Sequence, residues 1–166
     1  TKNLLLKDWR VTNMSSKKII ECVPNFSEGK DKSVIDKICA AIKTVDTVEI
    51  LDIDMGSDTN RTVVTFIAES NYVGKAAFKG IEKAAELIDM SKHAGAHPRM
   101  GATDVCPFIP VSSVSMEDCI DIAKKLGNDV GKLLKIPIFL YEKAATNEER
   151  KNLANVRNGE YEGLGE

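Results

Sequence analysis

The chain has 166 residues, of which 29% are charged and 43% apolar, and its formal net charge is −2. This balance is typical of a soluble globular protein and excludes a strongly basic one. Duplex nucleic acid is therefore not expected as a partner, because neutralising phosphates requires clustered Lys and Arg. No apolar run approaches the roughly 20 residues of a membrane helix, so we expect no membrane association.

The four cysteines are spaced without a C-x-x-C pair, at Cys22, Cys39, Cys106 and Cys119. A disulfide scaffold would be shorter and richer in cysteine. We therefore predict reduced thiols in a cytoplasmic protein.

The start of the chain, residues 1–17, is interpreted as a leader or tag-like segment that we expect to be disordered. Thr1–Asn13 lacks the apolar region and the cleavage site of a signal peptide. The remaining residues, 18–166, are predicted to form one domain.

Strands and helices alternate along that domain. Strands are predicted at Ile19–Val23, Val48–Asp54, Arg61–Ala68, Asp104–Val111 and Ile136–Tyr141. Helices are predicted at Lys32–Lys43, Asn71–Met90, Ser115–Leu134 and Glu148–Arg157. Two prolines in the fourth strand place it at an edge or make it irregular. The order predicts an α/β (α+β) fold, a mixed sheet of four to five strands with three to four helices packed on it.

Both histidines of the chain, His93 and His97, lie in the loop His93–Gly101. Loops held by a scaffold often carry catalytic groups, and imidazole can accept a proton near neutral pH. Two other readings stay open. Both could be ordinary surface residues, or they could bind zinc with Asp104 and Cys106, although Gly95 and Pro98 disfavour the helix that such spacing needs.

Polar residues follow the ends of predicted strands, at Asn25, Ser27, Asp52 and Asp54. Open α/β sheets bind ligands at such ends, and residues two apart in a strand share a face. Either aspartate could orient a histidine, hold an ammonium group, or simply precede a turn. Arg61 and Arg99 could bind carboxylates. No glycine pattern of a nucleotide site is present.

Four segments together resemble the formiminotransferase family, in matching order and spacing over about residues 18–164. They are Glu21-Cys22-Val23-Pro24-Asn25-Phe26-Ser27-Glu28-Gly29, Thr59-Asn60-Arg61-Thr62-Val63, Leu87-Ile88-Asp89-Met90-Ser91-Lys92-His93, and His97-Pro98-Arg99-Met100-Gly101-Ala102-Thr103-Asp104-Val105-Cys106-Pro107-Phe108-Ile109-Pro110. The resemblance implies the fold of the family's N-terminal subdomain.

The resemblance also implies transfer of a formimino group between 5-formiminotetrahydrofolate and L-glutamate, with tetrahydrofolate as carrier and no metal. It implies that His97 is the catalytic base and that Asp54 assists. The remaining candidates for binding folate or substrate are Asn25, Ser27, Asp52, Arg61, Arg99 and Gly101.

In the family, folate lies between two similar subdomains, and this chain carries only the first. We therefore expect a homo-oligomer or pairing with a C-terminal formiminotransferase subdomain. Two alternatives remain: a non-catalytic folate-binding or regulatory module, and an unrelated metal hydrolase that uses His93 and His97.

Overall fold

The computed structural model describes residues 17–165, so nearly all of the predicted leader lies outside the described residues. Strands are β1 (Ile19–Cys22), β2 (Asn25–Phe26), β3 (Glu49–Gly56), β4 (Arg61–Glu69), β5 (Thr103–Val105) and β6 (Phe108–Ser112). Helices are α1 (Lys32–Lys43), α2 (Ser70–Leu87), α3 (Met116–Leu133) and the short α4 (Leu153–Val156). Single 3-10 turns occupy Glu142–Ala144, Glu148–Lys151 and Glu162–Gly165.

The six strands form one curled sheet in which β4 pairs with β3 on one side and with both β1 and β2 on the other. Strands β5 and β6 in turn pair with β2 and β1. The α+β class is thus confirmed. Every pairing among the described residues is antiparallel, whereas the sequence predicted a mixed sheet.

Two proline-containing breaks explain why the six strands occupy only four positions across the sheet. Strands β1 and β2 share one position, and β5 and β6 share another. Pro24 separates β1 from β2 and Pro107 separates β5 from β6, because proline has no N–H for the ladder. Their carbonyl oxygens still accept hydrogen bonds, from Val64 at 3.0 Å and from Val23 at 3.2 Å. The predicted irregular edge strand is therefore confirmed as the broken β5–β6 line.

Helices α1, α2 and α3 cover one face of the sheet. Alternate residues of β4 point into this layer and are buried, namely Thr62, Val64, Phe66 and Ala68. The predicted apolar stripes of the helices supply the other side of the core, and burying each large apolar side chain contributes about 1.5–3 kcal/mol. The side chain of Asp31 caps α1, and a reciprocal Ser115–Asp118 capping box starts α3.

The opposite face of the sheet is only partly covered and mixes apolar with polar side chains. Ile67 is half-buried there, while Ile109 and Val111 are exposed. The same face carries Asn25 and Asp54, both of which pair with Val63. We call it the open face.

Two predicted elements are wrong in the last third of the chain. Ile136–Tyr141 forms no strand and instead runs along α3, where a Cβ on Gly127 would meet Ile138 at 3.0 Å. Pro137 in this segment and Pro110 in β6 each lack a ladder donor, which disfavours pairing at that edge. The predicted helix Glu148–Arg157 is a 3-10 turn followed by the single turn of α4.

None of the helices within residues 17–165 combines the length and apolar content that crossing a membrane requires.

Candidate active site

The loop His93–Gly101 has no regular secondary structure and is held against the turn between β3 and β4. The backbone N–H of Ala96 donates to the carbonyl of Asp58 at 3.2 Å. The side-chain amide of Asn60 donates to the carbonyl of Ala94 at 3.0 Å. These two contacts flank Gly95, so the turn holds the part of the loop between the two histidines.

Asn60 makes several of the hydrogen bonds at this contact, although no role was predicted for it from the sequence. Its backbone is left-handed, with φ of 49°, a conformation that asparagine tolerates better than most residues. Its Oδ1 accepts from the N–H of Gly29 at 2.9 Å, and its backbone carbonyl accepts from Nε2 of His93 at 2.9 Å. Asn60 stands in the family segment that contains Thr59-Asn60-Arg61, but only Arg61 was chosen from it as a candidate site residue.

Close packing of Gly95 on the turn gives a stability prediction. A Cβ at Gly95 would lie 2.3 Å from the carbonyl oxygen of Thr59, which is backbone and cannot rotate away. Gly95→Ala should therefore lower the free energy of unfolding by about 1–3 kcal/mol, the usual cost of overpacking. Chemical denaturation measures this. The matched control is Gly101→Ala in the same loop, where the nearest atom would be at 3.6 Å; equal losses for both variants would contradict the packing argument.

Arg61, at the start of β4, joins the histidine loop to the sheet. Its Nε donates to Oδ1 of Asn25 at 3.1 Å, and its Nη1 contacts Nδ1 of His97 at 3.0 Å. The same Nη1 donates to Oδ2 of Asp104. His97 therefore lies close to Asn25, with one guanidinium between them.

Asp104 is the most buried charged group at this position, with 1% of its side chain exposed. Besides Arg61, its Oδ2 accepts from Nη2 of Arg157 at 2.6 Å, and its Oδ1 accepts from the N–H of Met100 at 3.0 Å. We call Asn25, Arg61, His97, Asp104 and Arg157 the Arg61 cluster. From the sequence, Asp104 was a candidate site residue only as a metal ligand, and Arg157 was not a candidate.

The contacts of His97 bear directly on its chemistry. Its Nδ1 lies 3.0 Å from Nη1 of Arg61, which can only donate, and 2.5 Å from the carbonyl of Pro98, which can only accept. These two contacts require opposite neutral tautomers. When Nδ1 carries the proton and donates to Pro98, Nε2 holds a free lone pair. Nε2 has no hydrogen-bond partner among residues 17–165.

Asp52 and Asp54 are exposed on β3, opposite Thr65 and Val63 of β4. The two aspartates share a face of β3, as their spacing predicted, and Arg61 lies on the same open face of the sheet. Within the described part of the chain, neither carboxylate hydrogen-bonds to His97. The assisting role of Asp54 therefore stays a prediction.

The other candidates are occupied by contacts within the protein. Ser27 donates from its hydroxyl to the carbonyl of Gly101 at 2.7 Å, so the two residues hold each other. Arg99 pairs with Glu162 at 2.6 Å and lies 3.7 Å from Glu160. Arg99 thereby fastens the C-terminal segment to the histidine loop.

A cavity of about 820 Å³ lies behind the same loop, and its lining includes α3 and the segment Lys135–Ala144. Its lining is mostly apolar and includes Asp104 of the Arg61 cluster. Burial raises the pKa of Tyr141 in this lining to about 12, so its hydroxyl stays protonated. Neither His97 nor Arg61 lines this cavity. Among residues 17–165, no three His, Cys, Asp or Glu side chains gather in a way that could hold a metal ion.

Comparison with known proteins finds relatives that match most of this chain. The chain is 47% identical over 149 residues to a glutamate formimidoyltransferase of Streptococcus pyogenes serotype M1, covering 90% of this chain and 50% of that protein. It is 49% identical to the Thermoplasma acidophilum enzyme of the same name, covering 87% and 48%. It is 50% identical to a formimidoyltransferase-cyclodeaminase of Dictyostelium discoideum, covering 90% and 28%.

The chain spans about half the length of the two glutamate formimidoyltransferases. Residues 19–166 also match the model of the formiminotransferase domain, N-terminal subdomain. The chain therefore belongs to the formiminotransferase family, as a form of its N-terminal subdomain.

Proposed function

We propose that this chain supplies the proton-transfer half of a folate-dependent formimino-transfer site. The reaction moves a formimino group between 5-formiminotetrahydrofolate and L-glutamate, with tetrahydrofolate as the carrier. The observation that carries the proposal is the Arg61 cluster, in which His97 presents a free Nε2 beside a guanidinium. Relatives that share about half of its residues are named for this transfer.

His97 would move the proton that the reaction requires. The amine nitrogen of glutamate attacks the formimino carbon and forms a C–N bond through a tetrahedral centre. Nε2 of His97 takes a proton from the attacking nitrogen and returns it to N5 of the folate as the old C–N bond breaks. The tautomer that donates from Nδ1 to Pro98 is the one that can accept this proton.

Charge in the cluster favours a carboxylate ligand. Arg61 and Arg157 carry two positive charges against the single negative charge of Asp104. Nη2 of Arg61 has no hydrogen-bond partner among the described residues, so it can bind a carboxylate of glutamate or of the folate tail. The exposed carboxylates of Asp52 and Asp54 on the same face would suit the substrate ammonium.

A second subdomain or chain should complete the site. Ile109 and Val111 are exposed on the open face, which also carries Asn25, and such apolar surface favours association. We propose that a C-terminal formiminotransferase subdomain, or a second copy of this chain, covers that face and encloses the folate. The four cysteines, none of which is bridged, suit a cytoplasmic location.

The direct test combines this chain with the C-terminal half of the S. pyogenes relative, supplied as a separate polypeptide. Formimino transfer from 5-formiminotetrahydrofolate to L-glutamate should appear when both are present. Transfer by this chain alone would show that a second copy of the chain covers the open face. If the pair binds folate tightly but never transfers the group, the non-catalytic folate-binding module is the correct interpretation.

The isolated chain should bind folate weakly. A ligand held by one wall keeps much of its surface in water, while binding sites usually bury most of the ligand. Each ~1.4 kcal/mol of missing contacts weakens binding tenfold, so we expect a loss of about two orders of magnitude or more. Titration of a reduced folate into the chain, with and without the second half, measures this. Equal affinity in both titrations would contradict the two-wall site.

A further inference from the structure

We propose that Cys22 and Cys106 form a disulfide when the protein reacts with a low-molecular-weight disulfide, and that this bond displaces the strand that carries Asp104. The proposal does not rest on formimino transfer, because none of its tests requires turnover.

Geometry brings these two thiols together across the sheet. Their Sγ atoms lie 3.7 Å apart although the residues are 84 positions apart in sequence. Cys22 ends β1, whose partner strand is β6, and Cys106 stands in the break between β5 and β6. The 3.2 Å hydrogen bond from Val23 to Pro107 holds the two backbones beside each other at that point.

The break also supplies the freedom that bond formation needs. A disulfide has an S–S distance of about 2.05 Å, so the sulfur atoms must approach further. Cys106 lies between β5 and β6 and outside the strand ladder, so its backbone can shift without breaking a strand pairing. The other two cysteines, Cys39 and Cys119, lie in helices α1 and α3 and have no such neighbour.

Exposure decides the order of the chemical steps. Cys22 is fully buried, whereas Cys106 is partly exposed and lines the cavity, whose volume of about 820 Å³ is large enough to hold a small reagent. Burial and the contact with Cys106 also raise the pKa of the Cys22 thiol, which disfavours its attack as the first nucleophile.

The first step is attack of Cys106 Sγ on one sulfur of the reagent RSSR. This forms a mixed disulfide and releases one RSH, which carries the thiol proton. Cys22 Sγ then attacks Cys106 Sγ, loses its own proton, and expels the second RSH. The protein loses two electrons and two protons, and the reagent is reduced to two thiols.

Formation of this disulfide would alter the candidate active site. Asp104 stands two residues before Cys106, and its carboxylate holds Arg61, which contacts His97. A bond that draws Cys106 toward β1 therefore pulls on the strand that positions these groups.

Hydroxyethyl disulfide applied to the folded 166-residue chain tests the proposal. We expect loss of two of the four free thiols, a mass lower by two hydrogen atoms, and a Cys22–Cys106 peptide pair by mass spectrometry after alkylation. Dithiothreitol should reverse it. The Cys22→Ser variant should stop at a mixed disulfide on Cys106, and Cys106→Ser should retain all its thiols.

The variants Cys39→Ser and Cys119→Ser are the matched controls and should form the cross-link as the parent does. The imidazole NMR signals give the second readout, since the chain has only two histidines. Oxidation should shift the signals of His97 in the parent and leave them unchanged in Cys22→Ser. A mixed disulfide on Cys106 that never resolves in the parent, or unmoved His97 signals after cross-linking, would overturn the proposal.

Discussion

Replacing His97 with asparagine should lower the rate of formimino transfer by about 10²- to 10⁴-fold in the assembled two-half enzyme, the usual contribution of a general base. Asparagine keeps a polar side chain of similar reach but has no group that accepts and returns a proton near neutral pH. Folate affinity should fall much less, because Nε2 acts on the moving proton and not on the ring system. Steady-state transfer rates and a separate folate titration measure the two effects.

The control for this experiment is His93→Asn in the same loop. Nε2 of His93 hydrogen-bonds to the carbonyl of Asn60, and His93 hydrogen-bonds to neither Arg61 nor Asp104. Its replacement should loosen the loop and reduce the rate less than the loss of His97 does. Equal losses from both variants, with both proteins folded, would move the base away from His97.

The fold could be predicted where local pattern and tertiary packing agree. Strand β4 alternates buried and half-buried residues over its whole length, and the apolar stripe of α2 matches its buried residues. Prediction failed at Ile136–Tyr141, which is as apolar as a strand but packs on α3. An apolar run shows that a segment is buried and does not show what covers it, since a sheet edge and a helix face bury side chains equally well.

Some residues of the candidate site were likewise predicted from the sequence and others were not. His97, Arg61 and Asn25 were found from residue chemistry and resemblance, and one guanidinium joins them in the structure. Asn60 and Arg157 were missed because their roles depend on contacts between segments 34 to 53 residues apart, which no local pattern reveals. Arg99 was expected to face the ligand, but its position beside the acidic C-terminal segment gives it internal partners.

Asp104→Asn should lower the free energy of unfolding by about 3–5 kcal/mol, the cost of breaking a buried ion pair by removing one partner. The wild-type carboxylate is 1% exposed and lies between the guanidinium groups of Arg61 and Arg157. Asparagine has nearly the same volume and keeps one acceptor oxygen, so packing changes little. Its loss of charge leaves two guanidinium groups side by side without a counter-charge.

The matched control is Asp36→Asn on α1, where the carboxylate is 54% exposed and pairs with Lys32. Exposed pairs at this spacing contribute about 0.3–0.5 kcal/mol, so this variant should unfold almost as the parent does. Urea denaturation of both variants measures the difference. Adding Arg157→Gln to Asp104→Asn should recover part of the loss, because one of the two uncompensated charges is then gone. If Asp104→Asn is no more costly than Asp36→Asn, the buried carboxylate does not hold the Arg61 cluster together, and the placement of His97 must depend on the other contacts of its loop, such as those of Asn60 and Ala96.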